Sequence, residues 1–441
     1  MDSKLTVDLL TSVLPDWLIE KHADELEVVE RMRKVDPVVL VWTLVLGFPT
    51  GAKRTIASLR RRFEQVSCQE IARSSFYDRL TPAVAKLMRR LVDWALDMKA
   101  QQSNRQVGEQ FEGFKELLAI DSTVLSLHKL LAPTWKATNE GEAAAKMHII
   151  ANVVGGGPNS VSLTDQRTHD SQEVKTVGQW VEGCLLMGDL AYYDFHLFHR
   201  IAQQGGYFLS RVKTNANPEI VESNQTLPGR AIDLAGKNLQ EVIGRLSRQT
   251  IDVTVALEVE LRKYRGRSRK KTQHVRLVGV KDEQSGDYHL YFTNISADEL
   301  TPEEVRQTYG LRWQVELLFS RLKSTLRLHQ LPSAKDHIVR GLIWASILAI
   351  LCSNLLLEAM RRLQPDRVFP AQRMDAIFRD FADWILWALV AERRQGELTL
   401  FDLMIHEAAD PNRNRQRAHD ILDAIQLANE QENGLFSDAC A

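Results

Sequence analysis

The sequence predicts an α/β fold: a central sheet interrupted by a β-rich insertion and flanked by helical regions at both ends. Three observations carry this. Between residues 115 and 213, apolar runs of strand length alternate with segments of helical spacing. Residues 251–261 alternate strictly, with Ile251, Val253, Val255, Leu257, Val259 and Leu261 apolar, the period of a half-buried strand. Residues 1–100 and 333–441 follow helical spacing instead. The expected organisation is a helical N-terminal region (1–112), the first part of an α/β core (113–213), a β-rich insertion (214–305), a core helix (306–332) and a helical C-terminal region (333–441).

The chain has 441 residues, enough for two or three domains with a sizeable core, and 44% hydrophobic with 26% charged residues is ordinary for a globular protein. Cys68, Cys184, Cys352 and Cys440 are scattered without C-x-x-C pairing, which argues against a disulfide framework or zinc site and fits a reducing compartment. The first 30 residues hold eight acids and no apolar h-region, so no signal peptide is expected. Gly341–Met360 is near spanning length but carries Ser346, Ser353, Asn354 and Glu358; it reads as a core helix, with no membrane partner. The formal net charge is −1, yet residues 51–100 hold eleven Lys/Arg against five Asp/Glu and residues 251–280 hold eight against three. Such segregation points to polyanion-facing surfaces.

In the N-terminal region Thr55–Gln65 is amphipathic and Ser74–Ser75 reads as the cap of a helix starting at Phe76. Two short helices about a turn, with Arg60, Arg61, Arg62, Arg73 and Arg79 exposed, resemble a helix-turn-helix; a basic bundle accounts for them almost equally well. Leu117–Ile120 is then a short strand ending at Asp121, and residues 122–145 a polar loop. Lys146–Val154 is a strand, Gly155–Asn159 a hairpin turn, Val161–Thr164 the return and Ser171–Glu182 a helix. Cys184–Met187 is a strand ending at Gly188–Asp189, Phe195–Gln204 a helix and Tyr207–Lys213 a strand. This β-β-β-α-β-α-β order is that of a ribonuclease-H-like core, in which the first and fourth strands lie side by side. Both would end on a carboxylate, at the edge where open α/β sheets place their chemistry. In the insertion, Arg262–Lys271 is a basic hairpin turn with seven cations around Tyr264, read as a phosphate contact. After it, Phe381–Leu389 reads as bulky core-facing helix.

Tyr309–Lys323 reads as one helix. At about 100° per residue, Tyr309, Arg312, Glu316 and Lys323 fall at roughly 0, 300, 340 and 320 degrees, beside an arc of leucines. By periodicity alone such a row is equally a solvated face with i,i+4 ion pairs. Joined to Asp121 and Asp189 it becomes the third wall of a carboxylate site. Three converging carboxylates repel one another unless divalent cations neutralise them, and oxygen-only ligands select Mg²⁺ or Mn²⁺. Two such ions, with Asp121 bridging and Asp189 and Glu316 each holding one, would serve in-line phosphoryl displacement. Arg312 and Lys323 suit phosphate oxygens, and Tyr309 could hydrogen-bond or stack near the scissile strand. Trp313 is either a core residue or a wall of the DNA site. Gly155–Gly157 lacks the Lys-Ser/Thr of a phosphate loop, so no nucleotide cofactor is expected. Asp165 and Asp170 read as solvated or capping, and His148 as structural.

The spacing Tyr309, two residues, Arg312, three residues, Glu316, six residues, Lys323 resembles in full the Y-(2)-R-(3)-E-(6)-K signature of IS4-family DDE transposases, bacterial insertion-sequence enzymes. LLAIDST around Asp121 resembles the family's first aspartate block, and MGDLAYYDF around Asp189 its second, with Ala191 where the family usually has glycine. The resemblance covers residues 115–330 well and the flanks loosely. It implies a homodimer on double-stranded DNA that binds terminal inverted repeats, cuts by cut-and-paste through a hairpin on the transposon end, and transfers strands to target DNA. It also implies a cytoplasmic, nucleoid-associated location. DNA contacts expected on this reading are Tyr309, Arg312, Trp313, Lys323, Arg265, Arg267, Arg269, Lys270, Arg60, Arg61 and Arg62. Two alternatives stand beside it: an idle or domesticated DNA-binding protein, and a structure-specific nuclease on the same fold.

Overall fold

Residues 3–28, 35–102, 111, 113–154, 156–170, 177–224, 234–264, 267–364 and 369–391 are described by the computed structural model. Six helices come first: α1 (Ser3–Val13), α2 (Asp16–Glu25), α3 (Pro37–Gly47), α4 (Ile56–Ser67), α5 (Arg73–Arg79) and α6 (Pro82–Gln102). α3 is apolar on every side and wholly buried, with Asp36 capping it by accepting from the Val38 and Val39 amides. α5 begins at Arg73, so Ser74 and Ser75 lie inside it rather than capping it.

Among the described residues nine strands follow: β1 (Glu116–Leu127), β2 (Ala143–Asn152), β3 (Gly157–Asp165), β4 (Cys184–Gly188), β5 (Tyr207–Arg211), β6 (Glu219–Ser223), β7 (Thr250–Tyr264), β8 (Arg267–Lys281) and β9 (Tyr288–Thr293). They form one sheet in the order β3-β2-β1-β4-β5-β9-β8-β7-β6. As expected, the first and fourth strands are neighbours, and they run parallel from Glu116↔Cys184 to Ile120↔Gly188. One expectation is corrected here: β1 does not stop at Asp121 but continues to Leu127, because Asp121–Leu127 pairs residue by residue with Ile149–Ala143 of β2. The strands of the insertion join the same sheet, since β9 pairs antiparallel with β5 and β6–β9 extend the core sheet. Ile251, Val253, Val255 and Leu257 bury the same face of β7, as their alternation requires. The expected helix at Ser171–Glu182 falls largely on residues 171–176, outside the described residues; Gln179–Val181 is a single 3₁₀ turn.

Alternation along β1 splits the core in two. Leu117 and Ala119 face one cluster, shared with the N-terminal helices and with α11 (Asp336–Leu363) and α12 (Ala371–Leu389). Leu118 and Ile120 face the other, shared with α7 (Phe195–Gln203), α8 (Leu239–Ile243) and the insertion strands. α11 is long and apolar enough to cross a membrane, but 83% of its most apolar window is buried within the protein, as a core helix should be. α12 departs from expectation. Ala382, Ile385, Leu386 and Leu389 are buried, whereas Phe381, Trp384 and Trp387 stand outward at 57, 64 and 40% exposure.

The expected single helix over Tyr309–Lys323 is broken. α9 (Pro302–Gly310) ends, Leu311–Arg312 forms a turn, and α10 (Trp313–Ser320) resumes, followed by a π-turn at Arg321–Thr325. Across the break the amides of Leu311, Arg312, Gln314 and Val315 bond to carbonyls three residues back, a 3₁₀ tightening beside Gly310. Beyond it, the buried Arg321 guanidinium bonds Asp375 of α12 at 2.6 and 2.8 Å, Asn354 of α11 at 2.7 Å and the Gly156 carbonyl at 3.0 Å. That anchor locks the end of this segment against the C-terminal helices.

Candidate active site

Asp121 sits one residue past the last parallel pair of β1 and β4, and Asp189 one residue past the end of β4. Both carboxylates therefore emerge at the same edge of the sheet. α10 brings Glu316 to that edge, and Arg312, in the turn before it, bridges the carboxylates. Its Nη1 lies 3.3 Å from Asp121 Oδ2 and its Nη2 donates to Glu316 Oε1 at 2.6 Å. The Ser122 amide donates to Asp121 Oδ1 at 2.7 Å. Burial pushes the Asp121 carboxyl above the usual aspartate range; the Ser122 amide and Arg312 oppose this, and the charges of Asp189 and Glu316 add to it. The charges of Asp189 and Glu316 thus both reach Asp121.

Tyr309 does not offer its ring to a ligand. It is buried, packs on Tyr291 at 5.1 Å between ring centroids, and lies under the Arg312 guanidinium at 5.7 Å. Burial pushes its hydroxyl up to about 12. Lys323 lies half-buried in the π-turn, its ammonium pushed below the usual lysine range by burial, and among the described residues it has no ion pair. Trp313 opens α10 at 57% exposure, so it is not a core residue.

The expected basic contacts divide. Arg60 is a correction: it is buried, bonded to Glu64 at 2.6 Å and to the Ile71 carbonyl at 3.0 Å, and is not available to DNA. Arg62 donates to the Gly47 carbonyl at 2.8 Å and pairs with Asp383 of α12, and Arg61 is partly buried. Arg89 and Arg90 pair with Asp93 and Glu25. Two charges of the positive excess in residues 51–100 are therefore met by acids outside that stretch, Asp383 of α12 and Glu25 of α2. In the insertion Lys270 is exposed and 2.6 Å from Glu258. Arg267 and Arg269 lie on β8, opposite Tyr264 and Leu261; their side chains, and Arg265 altogether, lie outside the described residues.

Among the described residues no group of three His, Cys, Asp or Glu is already gathered at metal-ligand distance. The reason is visible: Arg312 is lodged between Asp121 and Glu316. The donor set nevertheless fits a hard divalent ion, since it is all carboxylate oxygen and the repulsion felt at Asp121 is what such an ion relieves.

Sequence reasoning missed one neighbouring group. Asp170, expected to be solvated or capping, is mostly buried and accepts from Ser122 Oγ at 2.6 Å. Only the proximity of Lys146 and His148 on alternate residues of one strand could have flagged it. Asp165 does cap, accepting from the Thr168 amide and hydroxyl.

The profile of the Transposase DDE domain family matches residues 112–352, more than half of the chain and the part that holds all three carboxylates. The chain belongs to the DDE transposase family. The transposase for insertion sequence element IS231F of Bacillus thuringiensis subsp. israelensis is 21% identical over 393 residues, covering 81% of this chain and 80% of that one. A putative transposase, y4zB, of Sinorhizobium fredii is 29% identical over 252 residues, covering 57% and 63%. Among solved structures, a piggyBac transposase synaptic complex with hairpin DNA aligns at TM-score 0.49 and 11% identity over 95% of this chain and 87% of that one; this likeness carries no argument about function. This DDE transposase is thus an insertion-sequence enzyme of metal-dependent DNA chemistry.

Proposed function

We propose that Asp121, Asp189 and Glu316 hold two Mg²⁺ or Mn²⁺ ions. We propose further that the transposase acts as a homodimer on double-stranded DNA, binding terminal inverted repeats and moving its element by cut-and-paste through a hairpin on the transposon end. The observation that supports the site is Arg312 bridging Asp121 of β1 and Glu316 of α10, with Asp189, just past β4, close enough for its charge to reach Asp121, in a chain of this family. When bound, the ion pair supplies activation of the attacking oxygen and stabilisation of the leaving one.

The chain's own residues do the rest. Asp121, Asp189 and Glu316 would hold the ions. Arg312 pairs with Asp121 and Glu316, and with cations bound its guanidinium would be placed to bond a phosphate oxygen. Tyr309 holds the guanidinium from beneath. Lys323, half-buried and without an ion pair among the described residues, takes a second phosphate. Trp313 supplies an exposed ring beside them.

Asp189→Ala tests the assignment. Mg²⁺-dependent cleavage of end-bearing DNA should vanish while end binding by mobility shift stays near normal; persistent cleavage would remove Asp189 from the metal site. A wild-type protein that bound ends without cutting them would be a domesticated DNA-binding protein, although all three carboxylates are present. Cutting without any joining of ends to target DNA would instead mark a nuclease.

A further inference from the structure

Behind Asp121 and Asp189 lies a polar cluster that no step above uses. Lys146 and His148, on alternate residues of β2, are both buried, and Val124 and Ser122 stand opposite them on β1. Asp170 arrives from the segment after β3. One of its oxygens accepts from Ser122 Oγ at 2.6 Å and lies 3.5 Å from His148 Nδ1. The other faces Lys146 Nζ at 3.3 Å, and Lys146 also donates to the Thr168 carbonyl at 2.8 Å. The same His148 Nδ1 is 3.2 Å from the Tyr192 hydroxyl, while Nε2 is 2.9 Å from Thr164 Oγ1.

Two chains of contact run outward from this cluster. Through Asp170 it grips the Ser122 side chain, and the Ser122 amide in turn holds Asp121 Oδ1. Through Tyr192 it grips the 3₁₀ turn that opens on Asp189, whose carbonyl accepts from the Tyr192 amide at 2.9 Å. One imidazole therefore stands between the supports of both aspartates. Residues this buried would pack at lower cost as apolar side chains, because desolvating a Lys–Asp pair is expensive and its attraction seldom does more than offset that. Directional hydrogen bonds, however, fix orientation in a way apolar contacts do not, and ligand-orienting partners are worth about 10–100-fold in metal affinity or activity.

We propose that Asp170 and His148 are positioning residues: a cross-strand brace that sets how the Asp121 and Asp189 carboxylates face one another. This rests on the metal-site reading above. Neither residue touches substrate or metal; they act through Ser122 and Tyr192.

The test uses the full chain, with Mn²⁺ alone as the probe, followed by electron paramagnetic resonance, alongside DNA-end cleavage kinetics and thermal melting. Asp170→Asn should weaken Mn²⁺ binding by about 10–100-fold and lower kcat while leaving KM for DNA unchanged. Ser122→Ala should do the same more mildly. The double variant should be no worse than Asp170→Asn, because one path carries both effects. A purely structural cluster would lower the melting temperature but leave Mn²⁺ affinity and kcat at wild-type values below that temperature, and this would overturn the proposal. If Asp170→Asn fails to fold, Ser122→Ala, which deletes one hydroxyl, decides alone: wild-type Mn²⁺ affinity and kcat reject the brace. Asp189→Ala run in parallel separates the two readings. Wild-type protein with no Asp189-dependent Mn²⁺ binding sinks the metal site and the brace together, whereas intact binding insensitive to Ser122 and Asp170 sinks the brace only.

Discussion

Arg312 is the residue on which the site turns in its metal-free form. A guanidinium shared by two carboxylates is a strong, directional contact, but Glu316 is 31% exposed, so solvent weakens it relative to a fully buried pair. Arg312→Ala should cost the metal-free protein about 1–3 kcal/mol, the usual penalty for leaving hydrogen-bonded groups unmatched. Mn²⁺ should then raise the melting temperature of the variant more than that of the wild type, since the ion takes over neutralisation of Asp121 and Glu316. Equal Mn²⁺ shifts in differential scanning fluorimetry would show that Arg312 is not their counter-ion. At this scale the sequence was informative in kind and misleading in place. The signature spacing named Tyr309, Arg312, Glu316 and Lys323, but not that Tyr309 is buried under Arg312 rather than presented beside it.

Elements decide how firmly that residue is held. α9 opens with a capping box: Thr301 Oγ1 accepts from the Glu304 amide, and the Glu304 carboxylate accepts from the Thr301 amide at 2.8 Å. Thr301→Ala should destabilise the protein by about 1 kcal/mol, read by denaturant midpoint. The Thr301 amide and hydroxyl hold the Glu304 carboxyl below its usual range. The folded state therefore releases this proton more readily than the unfolded chain does. The cap's ionic part is complete above the ordinary glutamate range and is lost as pH falls through the lowered value, so the Thr301→Ala penalty should shrink on acidification. A penalty that grew in acid would contradict this linkage. Farther along, Asp375 is completely buried and receives Arg321 and the Ser353 hydroxyl. Asp375→Ala strands a buried guanidinium and should cost about 3–5 kcal/mol. A loss under 1 kcal/mol in chemical unfolding would mean that the π-turn is not anchored there.

Across the whole molecule, charge is distributed differently from its distribution along the chain. Arg60, Arg62, Arg89 and Arg90 are paired internally, so four of the eleven cations in residues 51–100 already have acidic partners within the protein. The long β7–β8 hairpin, continuous with the core sheet, ends in the remaining dense run of Lys and Arg. Replacing Arg265, Arg267 and Arg269 together with alanine should reduce the slope of log affinity against log salt by about 2.7, at about 0.9 per phosphate contact. An unchanged slope in fluorescence anisotropy would take the hairpin off the DNA.

Local chemistry was legible from residues alone wherever a pattern is confined to one element. Apolar runs ending on Asp121 and Asp189, the alternation of residues 251–261, and the Tyr–Arg–Glu–Lys spacing are of this kind, and they led to the adjacent first and fourth strands and to the family. Patterns that depend on a partner were not legible. The second half of β1, DSTVLSL, mixes polar and apolar residues, and its strand partner β2 lies more than fifteen residues farther along the chain. Phe381, Trp384 and Trp387 of α12 share a helix with core residues yet face away from them. The brace of Ser122, Lys146, His148, Asp170 and Tyr192 unites positions up to 70 apart in the chain. By itself, then, the sequence singled out the candidate side chains for the chemistry, because residue type and spacing act within single elements. Only the tertiary structure decided which charges neutralise one another within the protein, because that depends on distances that packing alone sets.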